Sequence, residues 1–474
     1  MANRAADHRE RELKFDVPHD WQLPDPSNLG GPGATVQRES VRLETTYFDT
    51  GERDLLQHSL TLRRRDGDID AGWQLKVPSG VARNEIRLPP GERAVPAELR
   101  ELTLGVRGGA ALKQVATLIT EREIHRLLDD DGTPLFEIVV DNVIAMQMRD
   151  VGVTKHWREV EIELLDGTER MLSRAARWLT KHGADPSPSK SKLARALDAD
   201  PGKPRDTSTL AGLVSTYLDA QAAAIVVGDI DLRRGRDAIH ATRVATRRYR
   251  SVLRVLGALY DPGRAASLDA ELAWYAGALG VVRDRQVLRE HLKEAVHELP
   301  PELVLGPVAA RIEQRLIAEQ AEASEKLAAL LRSRRYYALL AELRTWRTEP
   351  PLTADEPVAS VRTHLDKAQR KVTRRIKHAP REAGRDEALH SARKAAKRAR
   401  YLAELARPEL GKSANKVRKE MKAAQSRLGV RQDEVVAAEF LRRMGAAAGA
   451  AGENGFTYGL LYARELARAS AISG

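Results

Sequence analysis

The sequence predicts an α+β chain, a strand-rich amino-terminal part followed by an all-helical carboxy-terminal part. Three observations carry that prediction. The first 200 or so residues fall into short runs separated by Gly, Pro and Asp turn signals. The chain beyond residue 208 is rich in Ala, Leu and Arg at helical spacing, and one basic helical pattern is written there twice.

Eight runs read as strands in order: 10–15, 44–49, 59–65, 73–77, 83–88, 120–128, 135–143 and 157–165. Their separators include Gly51, Asp66-Gly67-Asp68, Pro78-Ser79-Gly80, Pro89-Pro90-Gly91, Asp131-Gly132 and Asp166-Gly167. Residues 99–104 and 169–182 read as helices. Eight short strands predict a barrel or a sandwich, and Pro201, Gly202 and Pro204 mark a linker at 201–207. The expected domains are therefore 1–200 and 208–474. Breaks at Asp261-Pro262, Pro300-Pro301, Pro350-Pro351, Pro380 and Pro408 divide the second part into about eight helices.

Period-two alternation sorts the strands by charge. Glu159, Glu161 and Glu163 oppose Val160, Ile162 and Leu164; Glu10, Glu12 and Lys14 share a face, as do Arg63 and Arg65. Lys76 opposes Leu75 and Val77, Arg83, Glu85 and Arg87 oppose Ile86 and Leu88, and Glu137 and Asp141 oppose Ile138 and Val140. Carboxylates thus collect on the first and last strands and cations on those between. An ordinary half-buried sheet with a wet polar side is the plainer alternative. A closed antiparallel barrel with a charged lumen would set carboxylates against cations, the donor set for a divalent metal and a polyphosphate.

In the second part, His240, Arg243, Arg247, Arg250 and Arg254 fall on one helix face, with Ala241, Val244, Ala245, Tyr249 and Val252 opposite. The pattern returns as His390, Arg393, Lys397, Arg398 and Arg400, an offset of 390 − 240 = 150, with Glu404 standing where the first copy has Arg254. Leu279-Gly280 and Leu428-Gly429 repeat at an offset of 149. A solvated helix face is the bland reading of such a run. Two copies of one cationic face without interspersed acids point to an anionic partner.

Composition agrees, with 78 Lys and Arg against 67 Asp and Glu, a net charge of +11 and a pI near 9.7. The absence of cysteine excludes disulfides and thiolate chemistry. No signal-peptide core is seen, and the longest apolar run, 220–228, is too short to span a bilayer. A cytoplasmic protein without membrane contact is expected. Gly411-Lys412-Ser413 lacks the earlier glycine of a phosphate loop, and His8, His19, His58 and His125 lack metal-ligand spacing.

Glu10-Arg-Glu12-Leu-Lys14 resembles the ExExK signature of the CYTH domain, the triphosphate tunnel metalloenzymes. Tyr47 to Thr50, Leu62 to Arg65, Trp73 to Lys76, Arg158 to Glu163 and Ser191-Lys192 follow in that family's order. Arg87 departs from it, standing where an acid is expected. The resemblance implies a metal-dependent triphosphatase with Mg2+ or Mn2+ as cofactor. Arg63, Arg65, Lys76, Arg83, Arg122 and Lys192 would hold phosphate; Glu10, Glu12, Lys14, Glu159, Glu161 and Glu163 would form the catalytic set. Glu10, Glu12, Asp141, Glu161 and Glu163 would hold metal. Adenylate cyclase chemistry is the family's other option.

The helical part resembles the CHAD domain through the His-x-x-Arg-Val-x-x-Arg-Arg-x-Arg helix and the Leu-Gly-x-x-Arg-Asp segment. This resemblance implies two pseudo-symmetric four-helix bundles that bind inorganic polyphosphate, and an association with polyphosphate granules. The matching residues are His240, Arg243, Arg247, Arg248, Arg250, His390, Arg393, Lys394, Lys397, Arg398 and Arg400. A non-enzymatic nucleic-acid binder is the rival, disfavoured by an aromatic content of only 4%, which leaves few stacking platforms.

Overall fold

The computed structural model describes residues 6–67, 71–79, 82–148, 154–189, 191–199, 205–379, 385–427 and 430–471. The chain divides into two compact units, Met1–Pro204 and Arg205–Gly474. Residues 201–204 of the expected linker and the Leu428-Gly429 repeat lie outside the described residues.

The first unit is built on ten strands: β1 (Ala6–Glu10), β2 (Glu12–Val17), β3 (Thr35–Asp49), β4 (Thr61–Asp66), β5 (Gly72–Ser79), β6 (Ala82–Leu88), β7 (Lys113–Leu128), β8 (Pro134–Gln147), β9 (Thr154–Leu164) and β10 (Asp185–Pro186). They form one antiparallel sheet in the order β1-β6-β5-β4-β3-β7-β8-β9-β2-β10. The ladder does not return from β10 to β1, so the sheet is not the closed barrel expected from the strand count. Arg11 instead links edge strand β1 covalently to β2, the strand next to the other edge. The expected 10–15 strand is two strands, split at Arg11, one pairing with β6 and the other with β9.

β3 and β7 start before the expected 44 and 120; the first half of β3 carries polar residues, Gln37, Arg38, Glu39 and Ser40 among them, on both faces, whereas β7 buries Ala116, Thr117 and Leu118 in a row, without clean alternation. Alternation is the signal for a half-buried strand, and a strand extending beyond the core lacks it. The Asp131-Gly132 turn forms as expected, with the Asp129 carboxylate accepting from the backbone N–H groups of Asp131 and Thr133.

Four helices accompany the sheet: α1 (Asp54–Gln57), α2 (Ala97–Leu102), α3 (Glu169–Lys181) and α4 (Lys192–Ala196). α3 lays Leu172, Ala175 and Leu179 on Phe15, Phe136, Ile138, Val140, Val160 and Ile162, the apolar face that alternation predicts for β2, β8 and β9. α4 packs Leu193, Ala196 and Leu197 against Tyr47, Leu118, Val143 and Trp157.

The second unit holds ten α-helices among its described residues: α5 (Leu210–Arg233), α6 (Ile239–Leu256), α7 (Pro262–His297), α8 (Val308–Leu330), α9 (Arg334–Thr348), α10 (Val361–Lys377), α11 (Arg385–Leu405), α12 (Arg407–Arg427), α13 (Val430–Ala450) and α14 (Phe456–Ala471). The breaks at Pro262, Pro300-Pro301, Pro350-Pro351 and Pro408 fall where expected, and the one at Pro380 lies outside the described residues. The count exceeds eight because α9 is additional and because the stretch matching the 36-residue α7 is counted as α12 and α13, on either side of residues 428–429, which lie outside the described residues.

Each helix assembly takes a hairpin from both repeats. α5 and α6 pack with α10 and α11. Leu288, Leu292, Ile312 and Leu316 of α7 and α8 share a core with Phe440, Leu441, Tyr458 and Leu461 of α13 and α14. The 220–228 run belongs to α5, a 24-residue helix long and apolar enough to cross a bilayer, but over half of that stretch is buried inside the unit. Gly228 lets α5 approach α6, since a Cβ there would meet Thr242 at 2.0 Å.

Candidate functional site

Register across the sheet gathers the charged face. Arg122 pairs with Asp141 and Asp141 with Glu159 on adjacent strands, while Lys14 faces Glu161 and Glu12 faces Glu163. On the other flank Arg63 lies opposite Gln74, Gln74 opposite Arg87, and Lys76 opposite Glu85. Glu10 and Arg83 are register partners, and their side chains lie outside the described residues.

The centre is a triad of buried carboxylates, Asp141, Glu159 and Glu161, whose oxygens approach within 4.8 Å of one another. Lys192 opens α4 behind its Ser191 cap, whose side chain accepts from the Ala194 N–H. That placement sets the Lys192 Nζ 2.6 Å from Glu159, 2.8 Å from Glu161 and 2.9 Å from Asp141. Arg122 grips both oxygens of Asp141 at 2.8 and 2.7 Å, the bidentate geometry that guanidinium favours. Lys14 bonds Glu161 and lies 3.4 Å from Glu12.

Burial works against charge on all of these groups, and their mutual pairing outweighs it. Lys14, Lys192 and Arg122 hold the Glu161 carboxyl well below its ordinary range, and Arg122 with Lys192 holds Asp141 low. The carboxylates in turn raise Lys192 well above an ordinary lysine and raise Lys14 and Arg122. Asp141, Glu161, Lys14, Lys192 and Arg122 are therefore held in their charged forms at neutral pH.

Beside it, the Arg63 Nε donates to Gln74 at 2.6 Å, and its Nη2 lies 3.4 Å from the fully buried Glu85. Arg65 and Lys76 are buried nearby in the same ladder. Tyr47 is buried next to Arg63, Lys192 and Arg65, which outweigh burial and lower its phenol. Arg87, the unexpected cation, bonds Glu85 at 2.6 and 2.9 Å.

Charge alternation thus locates Arg63, Arg65, Lys76, Lys14, Asp141, Glu159 and Glu161, and the CYTH resemblance adds Arg122 and Lys192. Glu12 and Glu163 border the triad without joining it among the described residues. Sequence reasoning passes over Tyr47, Gln74, Glu85, Trp157 and Arg195 as site residues. The Trp157 Nε1 donates to Glu159 at 2.6 Å, and Arg195 lies 5.0 Å over the Trp157 ring while bonding Asp16 at 2.5 Å. Only the position of Arg195 three residues after Lys192, one helical turn on, could have signalled it. Asp49, in the Tyr47–Thr50 motif, accepts from the N–H groups of Thr50, Leu55 and Leu56 and so secures α1.

In the helical unit, α6 and α11 pack directly on each other. Buried Thr242, Ala245, Tyr249, Val252 and Leu253 form the inner face of α6, whereas Ala241 is exposed, contrary to the simple wheel. Thr242 and Thr246 tolerate burial because their hydroxyls donate to carbonyls four residues back. The cationic face is not free of acids, which arrive from other helices. Arg243 meets Asp284 at 3.1 Å, Arg248 meets Glu404 at 2.8 Å, and Arg250 and Arg254 share Asp269. Gly280 leaves room for the Arg243 guanidinium on α7, a local reason for the Leu-Gly segment.

These residues split between surroundings. Arg247 lies among Arg243, Arg400, Arg393 and Tyr401, lowered first by burial and then by those cations. His240 is lowered by burial and then by Arg283, Arg247 and Arg243; exposed His390 is lowered by burial and then by Lys394, Arg393 and Lys397. Arg400 bonds Gln425 at 3.1 Å. Arg398 sits elsewhere, among Arg254, Arg375 and Arg250.

Residues 8–197 match the CYTH domain and residues 216–442 the CHAD domain. Uncharacterised proteins from two Mycobacterium tuberculosis strains are 36% identical over 490 residues, covering 98% of this chain and 94% of theirs. Thiamine-triphosphatase from Homo sapiens is 27% identical over 138 residues, covering 24% of this chain and 59% of the human protein. Among solved structures, PptA from Streptomyces chartreusis aligns with a TM-score of 0.49 at 22% identity, over 56% of this chain and 96% of that one.

Proposed function

The chain belongs to the CYTH–CHAD proteins, and from that premise we propose that its first unit hydrolyses a triphosphate with a divalent metal while its second holds inorganic polyphosphate. The observation that carries the first half is the buried Asp141, Glu159 and Glu161 triad beside Arg63, Arg65, Lys76 and Arg122. Three hard oxygen donors at this spacing fit Mg2+ or Mn2+, with Lys192 supplying the counter-charge that such an ion would share.

A bound ion would act as a Lewis acid toward the phosphate oxygens and the attacking water. Arg63, Arg65, Lys76 and Arg122 hold and orient the phosphate oxygens, where multiple N–H donors neutralise charge that grows on the leaving phosphate. Lys14 and Lys192 keep Glu161 ionised, and Trp157 fixes Glu159. Water is the nucleophile, so no covalent intermediate with the protein is required. The charged face of the sheet would serve as the tunnel, with Lys192 of α4 reaching its carboxylates. Similarity to a thiamine-triphosphatase supports a triphosphate substrate.

In the second unit, the cations around Arg247 are the ligand site for polyphosphate. Phosphate release from tripolyphosphate, ATP, thiamine triphosphate and long-chain polyphosphate, with magnesium or manganese and after chelation, tests the first assignment. Appearance of a cyclic nucleotide from ATP in place of phosphate would instead identify a cyclase.

A further inference from the structure

The twofold repeat of the helical unit supplies its own control. Adding the offset of 150 to Tyr217 and Arg248 gives Lys367 and Arg398, and subtracting it from Glu404 gives Arg254. Beside α5, Arg248 is closed by Glu404 at 2.8 Å, with the Tyr217 hydroxyl 3.5 Å from the same carboxylate. Beside α10, the matching positions are all cationic. Arg398 is lowered by burial first, then by Arg254 and Arg375.

α10 adds to this rather than relieving it. It carries Arg362, Lys367, Arg370, Lys371, Arg374, Arg375 and Lys377 against one acid, Asp366. Exposed Lys371 is lowered by burial and then by Arg375, Arg398, Arg374 and Lys367. Arg375 is held toward α11 by donating to the Ser391 carbonyl at 2.9 Å. Among the described residues, neither Lys371, Arg375 nor Arg398 has an acid within ion-pair distance. The nearest relief is Asp269, already shared by Arg250 and Arg254.

We infer that Arg254, Lys371, Arg375 and Arg398 form a second anion subsite on the α10 flank, which takes a further segment of the polyphosphate chain held around Arg247. The inference rests on the polyphosphate reading of this unit. Like charges brought together on three helices repel, and a flexible phosphate chain neutralises them without needing a flat or rigid surface. The same repeat positions are an ion pair on the α5 flank, so the subsite makes the ligand surface one-sided.

The test uses the full chain in chelator, titrated with long-chain polyphosphate across a salt series. Arg254→Glu should close the flank as Glu404 closes the other, and Lys371→Ala with Arg375→Ala should thin it. Each should weaken binding about tenfold and reduce the slope of log affinity against log salt by roughly one to two, since each lost phosphate contact removes roughly one released counterion. A helical circular dichroism spectrum matching the parent confirms that the fold is retained, and Arg254→Gln gives a second variant without a new charge. Parent-like binding by these variants, with Arg243→Ala plus Arg247→Ala still weakening it, overturns the subsite alone. Absence of polyphosphate binding by the parent overturns both readings, as does displacement by duplex DNA at equal phosphate concentration.

Discussion

Lys192 of the strand unit is buried with three carboxylates within 2.9 Å, whereas Lys371 of the helical unit is exposed and the charges acting on it come from arginines and a lysine. The contrast follows from dielectric surroundings. A buried ammonium without partners would lose its proton, so an interior cation site must be built together with its acids. A surface cation keeps its charge in water, and crowding costs little until salt is removed. The first arrangement makes a discrete site of fixed stoichiometry; the second makes an extended, salt-sensitive one.

The largest expected effect breaks the buried side of this contrast. Lys192→Met leaves three carboxylates facing one another and should destabilise the strand unit by about 3–5 kcal/mol, as for other broken buried pairs. Added Mg2+ or Mn2+ should recover part of the melting temperature, and no recovery would remove the triad as a metal site. Next, replacing Arg243, Arg247 and Arg250 by Ala, or Arg393, Lys397 and Arg400, should weaken polyphosphate binding at least about tenfold at low salt, with the difference shrinking as salt rises. A salt-independent loss would mean that these arginines act through packing.

A smaller effect concerns His240 and His390, which burial and then surrounding cations hold below an ordinary histidine. Bound phosphate reverses that field and raises both. Polyphosphate affinity should therefore increase as pH falls from 8 toward 5.5, and replacing both histidines with Gln should flatten the profile. Smallest is the His291 and Glu465 pair, 2.8 Å apart, whose hydrogen bond raises the histidine. A raised folded value means the stabilisation is complete below the unfolded pKa of about 6.5 and is lost as pH rises through the folded value. Thermal melts of the helical unit should show that decline, absent in His291→Gln.

The contrast also sets how much was readable in advance. Glu161, Arg63 and Lys76 were legible because alternation puts every second residue on one face, whatever the sheet closes against. The α10 subsite and the Asp269 and Glu404 pairs were not. They depend on which helices lie beside α6, and a helix wheel gives a face without its neighbours. Lys192 was found through the resemblance, since nothing in Ser191-Lys192-Leu193 shows that a five-residue helix would point it at three acids. The full length of β3 was hidden because its first half is polar on both sides, and that of β7 because its buried start, Ala116 to Leu118, does not alternate. Proline and glycine placed the helix ends well, because those residues act locally.

The most direct measurement is phosphate release from tripolyphosphate by the full chain and by its Glu161→Gln variant, each with Mg2+ or Mn2+ and again in chelator. The buried triad predicts release only from the parent with metal, with a loss on the order of a hundredfold in the variant, while both chains bind long-chain polyphosphate alike. Equal release by the variant, or release that persists in chelator, would contradict it.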